Sequence, residues 1–203
     1  MEIVALCVSK PKTIVDRGRE ISTGFFNSPV DGRRMVGRTN IDGDEQADLT
    51  VHGGPHKAVC AFPIEHYDFY KRSLENSELK FGHFGENLTT SGLLETEVFI
   101  GDQYQMGGAL LEVSQPRSPC FKFGIRMGTR EAIKTCLASA KTGFYLRVIE
   151  EGEIQSEEKI KLAYRNGEAP SVEAVHQLYY HDKLNAAALE QAVECAALAP
   201  GFK

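Results

Sequence analysis

Val98-Phe99-Ile100-Gly101-Asp102-Gln103-Tyr104-Gln105 is followed by Met106-Gly107-Gly108-Ala109 and then by Leu110-Leu111-Glu112-Val113-Ser114. Two β-rich runs around adjacent glycines read as a hairpin, because glycine supplies the positive φ that a tight turn needs. Ile3–Val8, Ala58–Phe62 and Phe144–Ile149 are further strand candidates, short and apolar. Glu150-Glu151-Gly152-Glu153 reads as a turn leading to a strand near Lys159–Tyr164. Helices are few before residue 165. One is expected from Pro63 to about Asn76, with Tyr67, Tyr70 and Leu74 on one face. A second is expected over Glu131–Lys141, with Gly143 just past its end. Strands spaced by turns favour a mostly β, largely antiparallel barrel over a doubly wound sheet.

After Arg165-Asn166-Gly167-Glu168-Ala169-Pro170 the texture changes. Ser171 and Asn185 can each cap a helix. The expected organisation is therefore a β domain over residues 1–165 and a small helical appendage over 170–203. The appendage is too small to fold alone.

The chain has 203 residues, 42% hydrophobic and 25% charged, with a net charge of −5, which excludes general disorder. No apolar run approaches the roughly 20 residues of a membrane span. Met1–Val8 has too short an apolar stretch and no basic start for a secretion signal. Five cysteines without a C-x-x-C pair argue for free thiols in a reducing cytoplasm. An acidic chain is not built to hold nucleic acid.

Within Ser114-Gln115-Pro116-Arg117-Ser118-Pro119-Cys120-Phe121-Lys122, two prolines stiffen a loop that presents a cysteine. From Val113 to Arg130 there are four basic residues (Arg117, Lys122, Arg126, Arg130) and no carboxylate. Such surroundings lower a thiol pKa and favour metal ligation or nucleophilic attack by Cys120. They also suit a phosphate-bearing ligand. The plainer alternative is a packed loop cysteine among solvated basic residues.

His52-Gly53-Gly54-Pro55-His56-Lys57 reads as a tight turn where glycine lets the backbone approach a ligand, with Lys57 adding charge. His52, His56 and Cys60 are spaced by four, but Gly53-Gly54-Pro55 is poor helix material, so zinc is disfavoured. The acidic run from Asp42 to Asp48 has Ala47 and Gly53 where a calcium loop needs glycine and glutamate, so it reads as a turn and a solvated face. Asn87, in Phe84-Gly85-Glu86-Asn87-Leu88, either reads a heterocycle edge or closes a turn. Cys7, Cys60, Cys136 and Cys195 read as core.

Taken together, these pieces resemble the MOSC domain, the family related to the C-terminal domain of molybdenum-cofactor sulfurase. The resemblance is carried by Asp42-Gly43-Asp44, Gln46-Ala47-Asp48, Val51-His52-Gly53-Gly54 with Lys57-Ala58-Val59, and Phe84–Leu88. Gly101-Asp102 and Ser114–Cys120 continue it. It is closest to the bacterial branch with a C-terminal three-helix domain, of which residues 171–198 look like the first two helices. Relatives continue into a third helix where this chain stops at Lys203. Many also carry a lysine in the segment before Pro29-Val30, where this chain has Asn27. If that lysine holds a phosphate, Arg33, Arg34 or Arg38 must substitute.

The resemblance implies a MOSC-type β-barrel that binds the molybdenum cofactor (molybdopterin), with Cys120 as thiolate ligand to molybdenum. Arg117 and Lys122 would meet anionic parts of the pterin, and His52, Gly53, Gly54, Lys57 and Asn87 would line the site. Asp44 would orient the His-Gly-Gly turn. The implied activity is reduction of small N-hydroxylated compounds to amines or amidines. No flavin, haem or iron–sulfur motif is visible, so a separate electron-donor reductase is implied. The alternative is a carrier of cofactor or sulfur, with a persulfide on Cys120.

Overall fold

The computed structural model describes residues 1–48 and 52–203. Val51, part of the family motif, lies outside the described residues.

The strands are β1 (Glu2–Val8), β2 (Lys12–Asp16), β3 (Arg19–Thr23), β4 (Ser28–Pro29), β5 (Arg34–Val36), β6 (Val59–Pro63), β7 (Leu88–Ser91), β8 (Gln103–Met106), β9 (Ala109–Pro116), β10 (Phe144–Glu150), β11 (Gly152–Ile154) and β12 (Ile160–Tyr164). The helices are α1 (Tyr67–Ser73), α2 (Phe121–Arg126), α3 (Glu131–Ser139), α4 (Val172–Tyr180) and α5 (Ala186–Glu194). Eight strands form one mixed sheet in the order β12-β8-β9-β10-β6-β7-β1-β4. Among the described residues its one parallel pair is β6 with β7. β5 pairs with β11, and β2 with β3.

The expected hairpin is β8–β9, with Gly107 at φ +53, although Val98–Asp102 lies outside the strand. The expected helix from Pro63 begins later. Pro63 ends β6, a single 3₁₀ turn follows, and only Tyr67–Ser73 is α-helical. Ala140, at φ +55, terminates α3 ahead of Gly143. Ser171 and Asn185 cap α4 and α5 as expected, accepting from the Ala174 and Ala188 amides.

The closed barrel of the sequence reading is not established, because among the described residues no strand pair joins the sheet's two edges, β12 and β4. β12 and β1 approach through one isolated bridge, Glu2 with Lys159. Beside it the Ile3 amide donates to the Glu158 carbonyl at 2.9 Å and the Glu157 amide to the Ile3 carbonyl at 2.7 Å. The architecture is a curled mixed sheet carrying several helices.

Two cores form. The larger joins the sheet interior to Val172, Val175, Leu178, Ala192 and Leu198 of the helical segment. The smaller is aromatic and holds α1 and α2 against the sheet, with Phe62 and Phe84 stacked at 3.9 Å. Among the described residues, no helix is long and apolar enough to cross a membrane.

Candidate functional site

The register of the central strands sets the floor of a cleft. Tyr145 on β10 lies opposite Cys60 on β6, so the two side chains, both lining the cleft, share one face. β9 ends at Pro116, and the loop carries Arg117, Ser118 and Cys120 over that floor. The cleft opens to solvent at its mouth and is lined by both polar and apolar side chains. His52, Gly53, Lys57, Asn87, Arg117, Cys120 and Lys122 all line it. Gly54 does not. It precedes the 3₁₀ turn Pro55–Lys57, where its carbonyl accepts the Lys57 amide at 3.0 Å.

Cys120 occupies the cap position of α2, with extended backbone at φ −110 and ψ 174. Burial pushes its thiol up, but a hydrogen bond from His52, the Lys122 backbone N–H and the charges of His52 and Arg117 outweigh burial. The thiol is brought down to about 7. Cys60 shares the cleft with the opposite shift, because burial pushes it up to about 12 despite Arg117. Of the two, Cys120 is the one populated as thiolate near neutral pH.

Arg117 is 97% buried, with a relative exposure of 3%. Its amide donates to the Gly143 carbonyl at 3.0 Å. Its guanidinium lies 5.3 Å from the Phe25 ring and 5.5 Å from the Phe123 ring and bonds the Tyr145 phenol. The charges acting on it come from thiols and a phenol rather than from a carboxylate, and Nη1 has no partner. A buried donor left unmet costs about 1–3 kcal/mol, which an anionic ligand group in the cleft would relieve.

Asp44 braces the opposite wall. Burial raises its carboxyl pKa, and hydrogen bonds from the Ser9 amide, Asn87 and Gln46 oppose that rise. Gln46 Nε2 donates to Asp44 Oδ2 at 3.2 Å, and Gln46 Oε1 stands 3.0 Å from where a Cβ on Gly53 would sit. Gly53 has φ +91, so both backbone and space favour glycine there. Asp44 itself lines the cleft, with Gln46 between it and the His-Gly-Gly turn. The Asn87 amide is engaged within the protein. Its Oδ1 accepts the Cys60 N–H at 3.0 Å, and its Nδ2 reaches the Cys7 carbonyl at 3.4 Å.

Sequence reasoning placed Cys60 in the core. It is 4% exposed, yet it forms part of the cleft wall, as does the unforeseen Tyr145. Only the pairing of β6 with β10 brings these two together. Arg33, Arg34 and Arg38 do not line the cleft. Arg33 pairs with Glu158 at 3.2 Å, Arg38 with Glu151 at 3.9 Å, and Arg34 Nη1 donates to the Arg33 carbonyl. Asn27 does line it, with Nδ2 donating to the Glu86 carbonyl at 2.9 Å. Among the described residues no cluster of three His, Cys, Asp or Glu side chains could hold a metal ion.

A curled sheet whose central strands present a basic loop cysteine beside a glycine turn defines the class: the MOSC domain family matches residues 48–161, and the chain belongs to it. Residues 170–203 match the YiiM-like 3-alpha helix domain, which places the chain in the branch that couples the two. The uncharacterized protein YflK of Bacillus subtilis is 39% identical over 201 residues, covering 99% of this chain and 90% of that one. The crystal structure of YiiM from Geobacillus stearothermophilus superposes with a TM-score of 0.84 at 35% identity, covering 99% of this chain and 94% of that one. A Gibberella moniliformis protein named "Reductase" is 35% identical over 151 residues, which are 73% of this chain and 27% of that protein.

Proposed function

We propose that this chain binds the molybdenum cofactor (molybdopterin) through Cys120 and reduces N-hydroxylated compounds to amines or amidines. Electrons would come from a separate reductase protein. The observation that carries the reading is the meeting, in one cleft, of a thiol held at about 7 and a buried guanidinium with an unmet donor. The first suits a soft metal ligand, and the second suits an anionic tail. MOSC membership and the reductase-named relative support the same direction.

In this reading the Cys120 thiolate would ligate the metal, with His52 holding the sulfur by its hydrogen bond. Arg117, Lys57 and Lys122, which line the cleft, would neutralise anionic parts of the pterin. Gly53 lets the backbone approach, while Asn87 braces β6 against β1. When bound, the cofactor supplies two-electron chemistry, which with two protons turns an N–OH group into N–H and water. The Tyr145 phenol, pushed up by burial, keeps its proton through neutral pH beside the substrate space. A sulfur carrier would need an exposed thiol, whereas Cys120 is part-buried in a cleft it shares with Arg117, Lys57 and Lys122, which favours the reductase.

The test is reduction of an amidoxime with a reduced viologen dye as electron source, using protein from a host that makes the cofactor. Wild type is expected to form the amidine and Cys120→Ala to form none. A molybdenum-loaded wild type inert toward amidoximes and hydroxylamines alike would remove the reductase. Persulfide on Cys120 would then establish the carrier.

A further inference from the structure

Tyr180, the last residue of α4, donates its hydroxyl proton to Ser118 Oγ at 2.7 Å. Ser118 lines the cleft two residues ahead of Cys120. The same segment grips a second support of the site. The His176 and His181 Nε2 atoms each lie 2.9 Å from the Leu137 carbonyl on α3. From α3 the chain runs to Gly143, whose carbonyl accepts the Arg117 amide at 3.0 Å. Pro116 and Pro119 have no N–H to offer, so the loop can form few backbone bonds of its own. Consecutive residues are thus tied to different bodies: Arg117 to the sheet and Ser118 to the helical segment.

We propose that Tyr180 is a positioning residue for the thiol: through Ser118 it fixes the Arg117–Cys120 loop, which makes the helical segment part of the site. The inference rests on Cys120 being the working group of the cleft, as in the cofactor reading, but its test needs no molybdenum. The Tyr180 ring packs on His176 at 4.8 Å and on Tyr179 at 4.9 Å. Tyr180→Phe therefore keeps the packing and removes the hydroxyl alone.

Two rates are measured on the full chain: alkylation of Cys120 by N-ethylmaleimide, resolved by peptide mass, and hydrogen exchange of the amides of residues 117, 118 and 120–123. Tyr180→Phe and Ser118→Ala are each expected to raise both rates by about threefold to tenfold, the range of one hydrogen bond. The double variant should go no further, Ser118→Thr should behave as wild type, and exchange in β9 and β10 should not change. Unchanged rates in Tyr180→Phe overturn the proposal. So do an equal rise across β9 and β10, effects that multiply in the double variant, or a Ser118→Thr that matches Ser118→Ala. Molybdenum content is measured separately, so a failure of the cofactor reading is distinguishable from a failure of this one.

Discussion

Cys120 and Cys60 share a cleft and an arginine, yet one thiol is lowered and the other raised. The difference is local. Cys120 has a hydrogen bond from His52 and a backbone N–H aimed at its sulfur, while for Cys60 burial dominates. Alkylation of Cys120 should therefore rise through a midpoint near 7, the thiolate form prevailing above it, whereas Cys60 stays silent to about 12. His52→Ala removes groups that lower the pKa, so the midpoint moves up and alkylation at neutral pH slows by up to about tenfold. A midpoint unchanged in that variant would contradict the assigned cause. At this scale the sequence was informative where neighbours in space are neighbours in the chain. Arg117, Cys120 and Lys122 stand within six residues, and their charge was countable. Tyr145 and Cys60 are 85 residues apart in sequence and meet only through a strand register, which no local pattern encodes.

Among elements, the support of the loop runs through a buried pair that sequence gave no reason to join. His66 Nε2 lies 2.6 Å from Glu95 Oε2, and Glu95 Oε1 accepts the Gly143 amide at 2.7 Å. Gly143 has φ +70, and a Cβ there would stand 2.4 Å from the Ala61 carbonyl oxygen. Glu95→Ala would strand both His66 and the Gly143 amide, and a stability loss of about 3–5 kcal/mol is expected in denaturant unfolding. Cys136→Ala is a milder change in the aromatic core. It should cost about 1–2 kcal/mol and leave the alkylation of Cys120 unaltered. Loss of Cys120 reactivity in a folded Cys136→Ala would contradict its assignment to the core. The β8–β9 hairpin and both helix caps were legible because turn and cap chemistry is local. The β2–β3 hairpin was not, since its turn uses Arg17 at φ +50 before Gly18 at φ +78 rather than a favoured Asn-Gly pair.

For the whole molecule, the helical segment is continuous with the sheet. The Ile100 amide donates to the Pro170 carbonyl, Val172 to Val98, and Ala199 to Ser114, all at 2.9–3.0 Å. Val172, Val175 and Leu178 sit in the same core as Ile100 and Val113. Removing residues 170–203 should therefore expose that core, and the remainder is expected to aggregate or melt well below the full chain in a thermal scan. A truncated chain as stable as the parent would contradict the shared core. The composition change at residue 170 marked where helices begin, but helix faces alone do not say what they cover. The barrel inferred from strand spacing was likewise not secured, because closure depends on edge pairing that spacing does not record.

The central claim, Cys120 as the protein ligand to molybdenum, is tested most directly by elemental analysis of wild type and Cys120→Ala from a cofactor-producing host. Near-stoichiometric molybdenum in the wild type alone, with both proteins folded, is the predicted result. Equal molybdenum in the two proteins, or none in either, would contradict it.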